Sequence, residues 1–214
     1  MDKKHIKNKR KSPSVTAFIG AVITCIGGFF LSYNFVQAKK IMAYDYMASS
    51  FYNENINVEI IEEENTNKPV EEVLPEVVTD EYIGYLVIPK INLTKGFLDK
   101  RSTENDVEKN IFVVEGSNYP DTERGNLILA GHSGTGWKAF FNDLYKLEEN
   151  DVAIVNYKNK KYTYSIVSIY KQEKTGKIAI YRDYNKTTLT LITCTNNDSK
   201  TQTVYIAELI NIEE

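Results

Sequence analysis

Two cysteines and two histidines are all that the 214 residues contain, and their placement excludes several chemistries at once. Cys25 and Cys194 are too few and too far apart for a disulfide framework, and no cysteine–histidine cluster has the spacing of a zinc site. His5 belongs to the basic opening run, which leaves His132 as the one imidazole in the rest of the chain. No charged residue occurs from Ser12 to Ala38, and no arginine follows Cys194. The net charge is −3 and no basic aromatic patch lies beyond the first residues, so nucleic acid is not an expected partner. No internal repeat is evident.

The uncharged gap is informative. Residues 15–36 (VTAFIGAVITCIGGFFLSYNFV) would form a helix of about 33 Å, enough to cross a bilayer core. Lys3, Lys4, Lys7, Lys9, Arg10 and Lys11 precede it against a single Asp2. A cleaved signal peptide shares the basic start, and Val36-Gln37-Ala38 resembles a small-residue cleavage site. A signal's apolar region is only about 7–15 residues, however, so the length favours an uncleaved anchor. The expected organisation is a basic cytoplasmic tail at 1–14, a transmembrane anchor at 15–36, an extracytoplasmic helix and acidic linker at 37–80, and a catalytic domain at 81–214. The basic flank keeps the N-terminus inside, giving a single-pass protein of the cell membrane with its domain outside. Cys25 then lies within the span and cannot meet Cys194, which becomes a lone extracytoplasmic thiol. The composition suits a bacterium with a single membrane.

From Tyr82 onward, short alternating or β-branched runs predict strands at 83–91 (broken by Pro89), 110–114, 126–130, 152–157, 161–170, 188–194 and 203–209. One segment predicts a helix: 137–147 (WKAFFNDLYKL), with Phe140, Phe141, Leu144 and Leu147 spaced for one face. Many short strands with one helix point to a closed or nearly closed β-barrel. Trp137 and the Phe140–Phe141 pair read as core, and Trp137 is also near enough to His132 to edge a groove.

Cys194 ends the strand TLTLITC, where the sheet holds it rigidly while the sulfur can still meet solvent. Most free cysteines are simply small buried hydrophobes. His132 changes the balance: it lies just past the strand NLILA, separated from it by Gly131. A strand-end thiol and a strand-end imidazole form a plausible nucleophile and general acid/base pair. At reference pKa values of about 8.5 and 6.5, under about 1% of such pairs carry thiolate and imidazolium together at pH 7. That fraction adds about 3 kcal/mol to the apparent barrier and implies a slow enzyme. Ser133 has no matching triad partners.

The pieces IGYLVIPKINL (83–93), GNLILAGHS (125–133), FFNDLYKLEENDVAIV (140–155) and TLTLITC (188–194, ending in TLITC) occur in the order found in sortases. On them the chain resembles that family, the membrane-anchored cysteine transpeptidases of Gram-positive bacteria. The resemblance implies a mainly β fold: an eight-stranded sortase-type closed barrel with one or two short helices, preceded by the transmembrane helix. It also implies that Cys194 attacks a Thr–Gly-type bond in an LPxTG-like C-terminal sorting signal of a secreted protein, forming a thioester. His132 would serve as general acid and then base while an amine, from a peptidoglycan precursor or another surface protein, takes over the acyl chain. Thr193, Thr195, Ser133, Trp137 and Arg182 are candidate substrate contacts. No cofactor is implied. Some sortases use calcium, and Glu104, Asp106 and Glu108 could offer ligands, but they read more simply as a solvated turn.

The chain also departs from the family. Sortases place an arginine on the strand after the cysteine, and aligning 203–209 with that strand puts Gln202 in its place. A glutamine amide donates a hydrogen bond but brings no positive charge. Lys200, Arg182 and backbone N–H groups around Thr195 are the alternatives. The Asp-Pro-aromatic lid element and the second membrane span of pilus-assembling sortases are not seen, which favours wall anchoring over polymerisation. The Ser-x-Gly-Cys motif of L,D-transpeptidases is absent. The competing reading is a sortase-fold binding or scaffolding module that lost turnover with its arginine.

Overall fold

The computed structural model describes residues 15–54, 81–134 and 136–214; the basic tail expected at 1–14 and residues 55–80 of the helix and acidic linker expected at 37–80 lie outside the described residues. Helix α1 runs over Val15–Glu54. Its membrane-length portion is predominantly apolar, and the side chains described there are exposed. The stretch Ala17–Met47, with mean hydropathy 1.7, is long and apolar enough to cross a membrane. The helix continues well past residue 36, as the sequence suggests.

Eight strands form one sheet that curls into a nearly closed barrel: β1 Gly84–Ile88, β2 Leu93–Phe97, β3 Phe112–Val113, β4 Asn126–Ala130, β5 Val152–Tyr157, β6 Lys160–Glu173, β7 Thr188–Cys194 and β8 Thr201–Glu213. The spatial order is β2-β1-β5-β6-β8-β7-β4-β3, with every pair antiparallel except β4 and β7. Two irregularities in the β6–β8 register, at Thr163/Tyr164 and Ile166/Ser168, supply the local twist that lets long strands bend round the barrel. Leu86, Ile88, Phe97, Leu127, Leu129, Phe141, Tyr164, Leu189 and Leu191 fill the interior. On the far face of β7 and β8, Ile192, Val204 and Ile206 form a second cluster, which Ile180 from the β6–β7 connection covers.

Two departures from the expected elements have physical causes. Strand β2 carries Lys95 at a buried position, so its pattern does not read as a strand. It follows a 3-10 turn at Pro89–Ile91 and a left-handed Asn92, φ 51°. The segment 137–147 is not an α-helix but a run of turns with one 3-10 turn at Leu144–Lys146. The Phe141 N–H donates to the His132 carbonyl and the Gly134 N–H to Asn142 Oδ1, so long-range bonds take the groups a helix would need. Phe141, Leu144 and Leu147 still reach the core, as their spacing suggests.

Candidate active site

The parallel β4–β7 pair sets the site. Its register runs from Asn126↔Thr188 to Ala130↔Ile192, which puts the chain segments after both strands at the same rim. Three bonds carry the alignment beyond the ladder. The Gly131 N–H donates to the Ile192 carbonyl (3.1 Å), Thr193 Oγ1 donates to the Gly131 carbonyl (2.8 Å), and Ser133 Oγ donates to the Cys194 carbonyl (2.8 Å). Neighbouring strands lie about 4.8 Å apart, so the backbone segments that carry His132 and Cys194 run about one strand spacing apart at that rim. Gly131 is required there: a Cβ would come within 2.9 Å of the Phe141 ring, which closes the core directly behind His132. The Cys194 side chain is half-buried, and a cleft of about 1040 Å³ opens onto it.

His132 is 39% exposed and its Nε2 donates to Glu108 Oε1 at 2.9 Å. With a carboxylate as partner the ring nitrogen must be the donor, which leaves Nδ1 facing elsewhere. Glu108 is itself oriented, its N–H donating to Asp106 Oδ1 (2.9 Å), while Glu104 accepts from Lys109 Nζ (2.7 Å). The three acidic residues weighed as calcium ligands are thus engaged within the protein, one of them on the histidine.

Gln202 pairs directly with Cys194 in the β7–β8 ladder, which sets the two side chains on the same face of adjacent strands. Gln172 pairs with Gln202 on the next strand, and its Nε2 is buried without a partner among the described residues. Polar side chains therefore follow one another across β7, β8 and β6, starting from the thiol.

Several expected contacts are corrected. Arg182 does not approach the thiol; its Nη1 donates to the carbonyls of Arg124 and Lys186 and to Thr188 Oγ1. Those partners surround the start of β7, about 20 Å from its end, because the strand runs away from the loop that carries Arg182. Thr193 is buried and ties β7 to β4 instead of facing the cleft. Thr195 borders the cleft, but its hydroxyl is shared with Thr203 and its N–H donates to the Thr201 carbonyl, so this amide is already used. Lys200 holds the β7–β8 turn through its backbone, with its N–H on Asp198 Oδ1. That amide, followed by the Thr201 hydroxyl, holds the Asp198 carboxyl below the usual carboxylate range. Trp137 is 36% exposed and lines the cleft rather than the core; Ser133 lines it too. Sequence reasoning missed the Glu108 contact, the Lys174 side chain on the Ser199 carbonyl at the cleft edge, and the part of α1 that borders the same cleft.

The family model described as Sortase domain matches residues 86–210. The chain belongs to the sortase family. Solved sortases share its fold. The sortase D5 transpeptidase of Clostridium perfringens is 27% identical, with a TM-score of 0.52 over 61% of this chain and 80% of that one. Sortase C1 of Streptococcus agalactiae is also 27% identical, with a TM-score of 0.52 over 61% and 68%. Sortase C of Streptococcus pneumoniae is 17% identical, with a TM-score of 0.55 over 81% and 90%. No curated protein matches the chain. Sortases are cysteine transpeptidases acting on sorting-signal substrates, and this sortase carries one long N-terminal helix apolar enough to cross a membrane.

Proposed function

We propose that this sortase cleaves a Thr–Gly-type bond in an LPxTG-like sorting signal of a secreted protein and transfers the acyl chain to a cell-wall amine. The Cys194 thiolate adds to the scissile carbonyl, the tetrahedral adduct collapses to a thioester, and His132 gives a proton to the departing amine. The incoming amine then attacks the thioester, His132 takes its proton, and Cys194 leaves as thiolate. One observation supports this reading: the parallel β4–β7 register, extended by the Gly131 and Ser133 bonds, brings Cys194 at the end of β7 and His132 just after β4 to one rim of the barrel. With α1 as a single span and the N-terminus inside, the site faces the wall.

The reading is tested by incubating the protein with a library of five-residue motif peptides, with and without a diglycine acceptor, and following intact mass. The expected result is a covalent acyl-enzyme on Cys194 that disappears, with product formation, when acceptor is added. A chain that binds such peptides without ever acylating is instead a sortase-fold binding module. The missing arginine favours that second reading, so the occupant of its place matters.

Gln202 is the donor best placed to meet the developing oxyanion, since it faces Cys194 across the ladder and the Thr195 amide is occupied. Loss of an oxyanion donor costs about 10²–10³ in rate. For a neutral amide at a half-exposed site, Gln202→Ala is expected to lower kcat by about tenfold to a hundredfold with KM nearly constant, and Gln202→Arg to retain activity. An alanine variant with full kcat removes Gln202 from the mechanism.

A further inference from the structure

Among the described side chains of α1, all are exposed except at one patch, Gln37, Ala38, Ile41 and Asp45. Asp45 is 1% exposed and Lys95, on β2, is 4% exposed. Lys95 Nζ donates to Asp45 Oδ2 at 2.9 Å and to the Tyr82 hydroxyl at 3.2 Å, and it lies 4.5 Å from the centre of the Phe140 ring. Burial pulls the Lys95 ammonium below the ordinary lysine range, while Asp45 works in the opposite direction. A charge on the helix and a charge on the barrel therefore leave water only because they do so together. Undocking either one strands the other.

Ala38, Ile41, Met42 and Asp45 recur at helical spacing, so they form one face over two turns. All four line the same cleft as Cys194, Trp137 and Phe140. The opposite wall is the β7–β8 turn from Thr195 to Ser199, and Phe140 links the docked helix to the loop that follows His132. From Val36, the end of the expected span, to Asp45 the helix climbs about 14 Å. The cleft therefore lies close to the membrane surface.

We infer that this face of the anchor helix is one wall of the substrate cleft, held by the Asp45–Lys95 pair, so that the anchor sets the width of the passage by which a polypeptide reaches Cys194. The inference rests on Cys194 as the transferring thiol. It adds that the membrane helix is a specificity-determining part of the enzyme and not only its tether.

The test uses the full chain in lipid nanodiscs, in a Cys25→Ser background so that Cys194 is the one thiol. The rate of Cys194 alkylation by a bulky charged maleimide is measured, with thermal melting to confirm the barrel. Ala38→Trp narrows the passage and is expected to slow alkylation severalfold and raise KM for the sorting peptide. Lys40→Trp, on the exposed opposite side of the helix, is expected to change neither. Asp45→Asn leaves Lys95 without its counter-charge and is expected to speed alkylation by about tenfold or more. The apolar replacement Asp45→Leu with Lys95→Met is expected to restore the parent rate. Equal rates in the Ala38→Trp and Lys40→Trp proteins, or parent-like alkylation in Asp45→Asn, overturn the inference. Alkylation requires no turnover, so the wall and the transpeptidation chemistry succeed or fail in separate measurements.

Discussion

Exchanging Cys194 for alanine is expected to abolish acyl transfer, a loss of more than about 10⁴-fold that leaves nothing above background in a fluorogenic sorting-peptide assay. In the proposed mechanism the thiol holds the acyl chain between the two half-reactions, and the Ser133 hydroxyl is committed to the Cys194 carbonyl. The fold gives no second route to the same loss. Strand β7 is held by its ladders to β4 and β8, which are backbone bonds that alanine keeps. The sulfur itself is half-buried at the strand end, so its removal is expected to cost no more than about 1 kcal/mol of stability. The alanine protein should therefore melt with the parent and still bind the sorting peptide, while showing no acyl-enzyme by mass. Transpeptidation surviving in that variant would remove the covalent mechanism altogether.

The parts of the molecule legible in the sequence are those where local pattern and tertiary demand agree. Strands β4, β5 and β7 stand at their expected limits because their apolar and β-branched residues all serve one packed sheet. The shared rim was legible for the same reason: His132 follows β4, Cys194 ends β7, and the parallel register aligns the two strands. Where the pattern answers to something distant, reading fails. Lys95 breaks the alternation of β2 because its partner, Asp45, is fifty positions away on α1. The apolar spacing of 137–147 is genuine, yet it is spent on a turn that wraps Phe141 under Gly131. Arg182 is six residues from β7, but chain proximity says nothing about which end of the strand a loop serves. The sequence does carry a signal for the docked helix: Ala38, Ile41 and Asp45 share a face, and a lone acid among apolar neighbours requires a partner.

His132→Ala is expected to reduce kcat by about 10²–10⁴-fold while KM moves little, because in the proposed mechanism the imidazole handles protons at two separate steps without gripping the peptide. The geometry specifies more than the size of the effect. Nε2 is turned toward Glu108, so in the proposed mechanism the nitrogen left for the substrate amine is Nδ1, and the carboxylate would keep the ring from rotating away. At 70% side-chain exposure for Glu108, that pair is worth no more than about 1 kcal/mol. Glu108→Gln, which retains an acceptor oxygen, is accordingly expected to cost less than about tenfold in kcat. The two half-reactions can be separated experimentally. Added imidazole is expected to restore part of the lost rate in His132→Ala by carrying protons in free solution, and to do nothing for Cys194→Ala, which has no thioester to resolve. If His132→Ala acylates and deacylates at the parent rate, the proton carrier is another group at the same rim, and the two-residue machinery proposed for this sortase is wrong at its second member.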